Sequence, residues 1–436
     1  MNSSVLAARE LRWNTRMHLV QTFACPLLSL TLRAPSTLRV EPAFLDAFSR
    51  LCSRLEDEFA SQGLAMSLLH TSLDAEGPAR HYGAEDALAA KKLSIKFEEE
   101  TLGGALLDID FLDEKARPIS RRELGLPPRA CMVCGTRPAA VCIKGSIHTN
   151  DVTCRAFRDL MQQCLNLEDS AQRIARYAVQ SLLFEVSVTP KPGLVDRHSA
   201  GAHSDMDYYT FLSSTAALAP YFLTAARLGQ DGAISTDSLL PRLRPFGIAA
   251  EAQMNKATGG VNTHKGLIFS LGILCIAAGR MREVTSTEEL CELAAQIARP
   301  ALLDDSADSH GQQVMLRHGV SGARGEAAEG FPNVRRALPI LESALSKGES
   351  VDRAGVKTLL FLMSELHDTN VLYRAGAPGL ELVQESAARL LAAGCPEDEL
   401  NQFCAELRQK GISPGGSADM LALCFFLHLI RQPSSA

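Results

Sequence analysis

The sequence predicts an α+β N-terminal domain, a mixed sheet with helices over residues 1–160, followed by an all-α C-terminal domain over residues 165–436. Three observations lead there. Short apolar runs bounded by Pro and Gly alternate with helical patterns in the first part of the chain. From about residue 165, long segments of 3.6-residue period follow one another with no strand signal. The loops joining those segments are rich in Gly, Pro, Asn and Asp, so their polar clusters collect at helix ends.

The elements follow in order. "VLAARELRWNTRMHLV" reads as an amphipathic helix, and "CPLLSLTLRAP" as a strand punctuated by Pro26 and Pro35. "EPAFLDAFSRLCSRLEDEFASQG" is a helix ended by Gly63. "LAMSLLHTSL" is a second strand, "EDALAAKKLSIKFEEE" a helix and "ALLDIDFLD" a third strand. The helical half divides into 167–187, 205–229, 239–257, 264–281, 287–303, 335–347, 353–368, 380–393, 397–410 and 417–431.

Bulk properties narrow the function. A formal net charge of -6 gives no support to nucleic acid or an anionic membrane as a bulk partner. The longest apolar runs, "GLIFSLGILCIAAG" and "LALCFFLHLI", are shorter than the roughly 20 residues that span a bilayer, so they read as buried helices. No export signal is recognisable near the start, where Arg9, Glu10 and Arg12 precede any long apolar run. Twelve cysteines in such a chain point to free thiols or a metal site, and to the cytoplasm.

Two clusters stand out in the first half. Alternation along "LLDIDF" puts Leu106, Asp108 and Asp110 on one strand face and Leu107, Ile109 and Phe111 on the other. Two carboxylates about 7 Å apart can share a Mg²⁺ and present it to a polyphosphate, as in a nucleotidyltransferase; an edge strand with a solvated acidic face has the same pattern. Gly103 and Gly104 allow close backbone approach to a ligand. Downstream, Arg121, Arg122 and Arg129 form a basic cluster suited to phosphate. Cys131, Cys134, Cys142 and His148 have a spacing that permits a Zn²⁺ knuckle, and equally permits reduced cysteines around a tight turn.

The second half carries five polar helix entries. "KPGLVDRHSAGAHSDMDYYTF" holds Lys191, Arg197, His203, Asp205 and Asp207, with Ser204 or Asp205 placed to cap the next helix. "GGVNTHKG" brings Asn262, His264 and Lys265 to a helix start, an anion site in type. A glycine-rich loop carries Arg317, Arg324 and Glu326. "HDTNVLYRAG" holds Asp368 and Arg374, and "SPGGSADM" holds Ser417 and Asp419.

These segments resemble known families. "DIDFLDEKARPISRRELGLPPRACMVCGTRPAAVCIKGSIH" looks like the citrate lyase holo-acyl-carrier-protein synthases, also called apo-citrate lyase phosphoribosyl-dephospho-CoA transferases, over residues 5–155. "VTPKPGLVDRHSAGAHSDMDYYTF", "GGVNTHKGLIFSLG", "GARGEAAEGFPNV", "HDTNVLYRAGAPGL" and "SPGGSADMLAL" resemble, in order, the triphosphoribosyl-dephospho-CoA synthases over residues 170–432. The second resemblance implies a reaction of ATP with 3'-dephospho-CoA that expels adenine. The first implies transfer of the product to a serine of the apo citrate lyase acyl carrier (gamma) subunit, with loss of pyrophosphate. It also implies a nucleotidyltransferase-like N-terminal domain in which Asp108 and Asp110 hold metal and Arg121 and Arg129 hold the triphosphate.

The synthase chemistry needs a base, protonation of leaving adenine and cations on the triphosphate. Asp205, Asp207, Asp368 and Asp419 are expected to bind Mg²⁺, one of them acting as base. Lys191, Arg197, Lys265 and Arg324 are expected on phosphates, with Asn262, Arg374 and Ser417 also contacting substrate. His203 and His264 are candidate proton donors or ligands, or helix caps. Three rivals stand beside this reading. The N-terminal half could be only a carrier-docking module. The target could be the carrier of malonate decarboxylase. The helical half could be a Mg²⁺-dependent hydrolase of nucleotide-ribosyl bonds.

Overall fold

Order in the N-terminal half is set by two interior strands of one sheet. In the computed structural model, which describes residues 3–165, 168–281, 284, 286–300 and 322–432, the chain forms two compact units, one ending at Ser170 and the other starting at Ala171.

The first unit contains α1 (Ser3–Phe23), β1 (Leu27–Leu32), α2 (Pro42–Ser61), β2 (Met66–Asp74), β3 (Gly77–Ala84), α3 (Ala87–Glu100), β4 (Leu107–Leu112), α4 (Ala139–Lys144) and α5 (Asn150–Leu165). Its four strands are ordered β2-β3-β1-β4 and every pair is antiparallel, so the expected mixed sheet is an antiparallel one. β1 lies inside and is buried on both faces. Leu28, Leu30 and Leu32 join Phe44, Phe48 and Leu51 of α2, Ile109 and Phe111 of β4, and Phe157 and Met161 of α5 in one core. On the other face Leu27 packs with Leu19 and Val20 of α1. β3 has no apolar alternation; it forms because Gly77, at φ 92°, turns the chain out of β2 and the partners are already in place.

The Gly103–Gly104 pair has a structural use. A Cβ on Gly104 would lie 2.2 Å from the Phe97 carbonyl oxygen, and one on Gly103 would lie 2.9 Å from Cys164 Cβ. The close approach is therefore to α3 and α5 rather than to a ligand. Leu106 belongs to the same tight turn and is fully buried, so it does not share the face of Asp108 and Asp110.

The second unit is helical: α6 (Ser170–Ser187), α7 (Tyr208–Gln230), α8 (Thr236–Ala257), α9 (Lys265–Met281), α10 (Thr287–Ala298), α11 (Gly322–Ala328), α12 (Pro332–Ser346), α13 (Val351–Glu365), α14 (Thr369–Ala392), α15 (Glu397–Lys410) and α16 (Gly415–Ile430). α9 and α16 are apolar all round and sit in the core. The helix expected over 380–393 begins earlier, at Thr369, and Gly376 (φ 64°, ψ −166°) breaks it. Asp207 caps α7, in place of Ser204 or Asp205. Part of the segment expected as a helix to residue 303, and Arg317, lie outside the described residues. Among the described residues no helix is long and apolar enough to cross a membrane.

Candidate functional sites

In the first unit, Asp108 and Asp110 lie on the sheet face covered by α1, opposite Thr31 and Ser29 of β1. Each meets an arginine. Arg129 bridges Asp108 and the buried Glu98. Arg16, from α1, reaches Asp110 at 3.1 Å. Glu98 also accepts the Ile109 N–H at 3.0 Å, and Lys91 donates to the Ile109 carbonyl at 2.9 Å, so α3 clamps the strand that carries both aspartates. Burial raises the Glu98 carboxyl, against the pull of Arg129. Burial lowers the Lys91 ammonium.

A cavity of about 740 Å³ opens beside this network. It is lined by Trp13, Arg16, Lys91, Asp110, Arg121 and Arg129 among others, so basic groups dominate its polar wall. Arg121 is held by Glu99 and by the Pro127 carbonyl, the latter at 3.1 Å. The volume suits a nucleotide-sized ligand. Sequence reading missed Arg16, Lys91 and Glu98. A signal for the last two was present: Lys91, Ile95 and Glu98 recur at helical spacing on the buried stripe of α3. It also missed a polar row across the sheet, His70–His81–Ser29–Asp110, beneath α1. His81 is fully buried and its pKa is pushed down to about 4 by burial and by Arg16, so it is neutral.

Cys131, Cys134, Cys142 and His148 converge, their ligand atoms all within 4.8 Å of one another.

In the second unit the entries of α9, α14 and α16 meet the end of α6. Lys191, buried, donates to the Glu185 carbonyl at 2.8 Å and pairs with the Glu185 carboxylate. Asp368 caps α14, accepting from Asn370 N–H at 2.9 Å, and takes the Ser417 N–H at 2.8 Å and its hydroxyl at 3.0 Å. Burial raises its pKa against those bonds. Asp419 stays partly open to solvent, yet its pKa is driven well up by burial and by the like charges of Glu185 and Asp368. Its Oδ2 lies over Gly266 in the first turn of α9, where any Cβ would sit 2.2 Å away.

His264 is buried beside this cluster. Its Nδ1 is 2.7 Å from the Ser214 hydroxyl, which in turn accepts from Thr263 at 2.7 Å. That chain sends a proton toward Nδ1 and leaves the ring hydrogen on Nε2, an atom without a hydrogen-bond partner among the described residues. Burial and Lys191 push the His264 pKa down to about 3. His203 bonds Ser413 Oγ through Nε2 at 2.8 Å, with Asp205 3.7 Å from Nδ1. Burial and Arg374 lower its pKa.

Other expected residues have structural partners. Asp207 accepts the Thr210 N–H at 2.9 Å and its hydroxyl at 2.7 Å in a capping box. Arg197 pairs with Asp352 at 2.6 Å, and Lys265 with Glu251 at 2.6 Å. Asn262 accepts the Lys265 N–H at 3.1 Å, and Arg374 reaches the Gly411 carbonyl at 3.5 Å. Arg324 is half-buried on α11. Glu185 was missed because it sits in the last turn of a helix, with no loop punctuation beside it; its signal was a carboxylate on the apolar stripe that includes Ala178 and Leu182.

The family of ATP:dephospho-CoA triphosphoribosyl transferases matches residues 171–436. The chain belongs to this family. Residues 2–164 match a second family, apo-citrate lyase phosphoribosyl-dephospho-CoA transferase, so the chain joins two transferases. "Protein CitXG" of Haemophilus influenzae is 32% identical over 454 residues, covering 98% of this chain and 96% of that one. The 2-(5''-triphosphoribosyl)-3'-dephosphocoenzyme-A synthase of Pectobacterium atrosepticum is 42% identical over 273 residues, covering 60% of this chain and 89% of that one. That of Klebsiella pneumoniae is 41% identical over 274 residues, covering 59% and 91%. The transferase halves together make a bifunctional enzyme of citrate lyase prosthetic-group synthesis.

Proposed function

We propose that the carboxylate cluster at the entries of α14 and α16, with His264 and His203, carries the synthase step, and that the arginine-lined cavity of the first unit carries the transfer step. The observation that carries this reading is the convergence of Glu185, Lys191, His264, Asp368, Ser417 and Asp419 from four separated segments.

In the synthase step the 2'-hydroxyl of 3'-dephospho-CoA attacks C1 of the ATP ribose. The C1–O bond forms, the C1–N bond to adenine breaks, and the triphosphate stays on the transferred ribose. The hydroxyl proton goes to a base and adenine takes one on leaving. His203 suits the base. It is neutral near pH 7, Asp205 lies 3.7 Å from its Nδ1, and that carboxylate would stabilise the imidazolium. His264 suits a hydrogen bond to the leaving adenine rather than a full proton transfer, because its network leaves an Nε2–H while its lowered pKa keeps the ring neutral, and adenine takes its proton from solvent. The uncompensated charge on Asp368 and Asp419 fits a hard divalent cation; Mg²⁺ would be held there and would screen the triphosphate. Lys191 holds Glu185 in place, and Lys265, Arg197 and Arg324 remain candidates for phosphate.

In the transfer step the carrier serine oxygen attacks the phosphorus next to the ribose, its hydroxyl proton passes to solvent, and the bond to the leaving pyrophosphate breaks. Arg16, Lys91, Arg121, Arg122 and Arg129 surround the cavity and would hold that charge. Asp108 and Asp110 would hold Mg²⁺ once their arginines turn to phosphate. The carrier subunit docks against the Arg121–Arg129 segment, and the enzyme works in the cytoplasm.

The test is to incubate the protein with ATP, 3'-dephospho-CoA, Mg²⁺ and apo carrier, following free adenine and carrier mass together. Adenine release with a heavier carrier is expected. Adenine release with an unchanged carrier would reduce the first unit to docking, and free triphosphoribose would mark a hydrolase.

A further inference from the structure

The segment from Asp113 to Thr149 has almost no core of its own. Across it, the buried hydrophobic side chains are Cys131, Ala139 and Cys142. Val141, Ile143 and Ile147 of the same segment face solvent. A stretch of this length cannot offset its ordering entropy with so little burial. Yet it supplies Arg121, Arg122, Leu126, Pro128 and Arg129 to the wall of the cavity. Something else must fix it.

The four soft ligands are placed to do so. In a tetrahedral zinc site, Zn–S near 2.3 Å and Zn–N near 2.0–2.1 Å require S···S edges of about 3.8 Å and S···N edges of about 3.6 Å. Cys134 Sγ and Cys142 Sγ are 3.8 Å apart, and Cys131 Sγ and His148 Nε2 are 3.5 Å apart. Two disjoint edges of the tetrahedron thus already have their length. The backbone is that of a metal knuckle. Gly135, at φ 65°, donates its N–H to the Cys131 carbonyl at 2.7 Å and turns "CMVCG" back on itself. The Cys131 N–H then bonds the Arg137 carbonyl at 2.7 Å, and the Ala139 N–H bonds the Arg129 carbonyl at 2.9 Å. Arg129 therefore lies on the same ribbon as the first ligand, two residues away.

We propose that Cys131, Cys134, Cys142 and His148 bind one structural Zn²⁺, and that the ion holds the Arg121–Arg129 wall in place so that Arg129 reaches Asp108 and Glu98. The set is closed, with four protein ligands, so the ion is structural and carries no step of the reaction. The role given to the wall rests on the transfer reading above; the metal site does not.

The experiment is metal analysis of the full chain purified without chelators, with cobalt substitution. One zinc per chain is expected, and Co²⁺-loaded protein should show the strong visible bands of a tetrahedral thiolate site. The double variant Cys134→Ser/Cys142→Ser should hold less than a tenth of that zinc. It should release adenine at the wild-type rate while carrier modification falls at least ten-fold, with Mg²⁺ in excess throughout. Wild-type protein with no stoichiometric zinc and no cobalt bands overturns the site, whether or not transfer occurs. Zinc at one per chain, with a zinc-free variant that modifies carrier at the wild-type rate, overturns the role assigned to the wall.

Discussion

The two acidic centres of this chain have opposite charge balance. In the first unit each aspartate meets an arginine, Asp108 with Arg129 and Asp110 with Arg16, and Lys91, Arg121 and Arg122 add further positive charge around the cavity. In the second unit Glu185 has Lys191, but Asp368 is held by neutral donors and Asp419 faces the other two carboxylates. A pocket with surplus arginine waits for an anion. A carboxylate cluster short of cations waits for a metal. On the proposed reading the difference follows the order of the chemistry: the second unit would gather an ion with ATP, and the first would receive a triphosphate and let pyrophosphate go.

The contrast breaks most sharply at Asp419. If Asp419 holds the ion as proposed, Asp419→Asn should lower adenine release at least about 100-fold, since the change removes that ligand and its charge. The same change should raise the melting temperature of the metal-free protein. The sign follows from linkage. A carboxyl whose folded pKa is raised contributes stability below its unfolded pKa and loses it as pH rises through the folded pKa. The second unit should therefore melt higher as pH falls from the raised folded range of these carboxyls toward the ordinary carboxylate range, and the Asp419→Asn variant should show a flatter slope. His264 acts the other way below its ordinary pKa, because its folded value is held near about 3. Calorimetry across pH, with and without Mg²⁺, reads all of this. A variant that melts lower than wild type across the whole pH range would show that Asp419 is paired after all.

Arg129 sharpens the other side. Arg129→Ala leaves Glu98 buried without its cation, a change that costs about 3–5 kcal/mol for a buried pair. Carrier modification should drop by about 100-fold or more, and adenine release should not change. Arg129→Lys keeps the charge but cannot bridge Glu98 and Asp108 together, so it should recover stability more than transfer. Mass spectrometry of the carrier and denaturant unfolding separate the two effects. Equal loss of adenine release in Arg129→Ala would mean that the two activities do not map onto separate units.

How legible these sites are in sequence depends on where the residue lies. Helix entries are visible because Gly, Pro, Asn and Asp punctuate them, so Asp368, Ser417 and Asp419 stand out. The helix over 397–410 is legible from periodicity, and that over 265–281 from its long apolar run. Glu185, Lys91 and Glu98 are hidden because each sits within a helix, where one charge among apolar residues carries no local punctuation. Arg16 is hidden because its partner is 94 positions away. β3 is hidden for a related reason: "GPARHYGA" has little strand propensity, and only pairing with β1 and β2 makes it a strand. The antiparallel order likewise depends on long-range pairing.

The smallest expected effect lies at Asp207, where the sequence reading and the geometry pull apart. The carboxylate is exposed, and its pKa is lowered by the Thr210 hydroxyl and N–H, as a cap requires. Asp207→Ala should lower the melting temperature by no more than about 4 °C, the loss of one cap. Asp207→Ser restores a capping oxygen without the charge, and should restore the melting temperature. The decisive readout is adenine release in the Ser variant. If it stays within about two-fold of wild type, Asp207 only starts α7, and the metal set narrows to Asp368 and Asp419, the carboxylates that share Ser417's turn. If it falls by ten-fold or more while the protein melts normally, the exposed acid at the start of α7 serves the reaction, and the boundary between the buried cluster and the loop that carries His203 must be drawn wider.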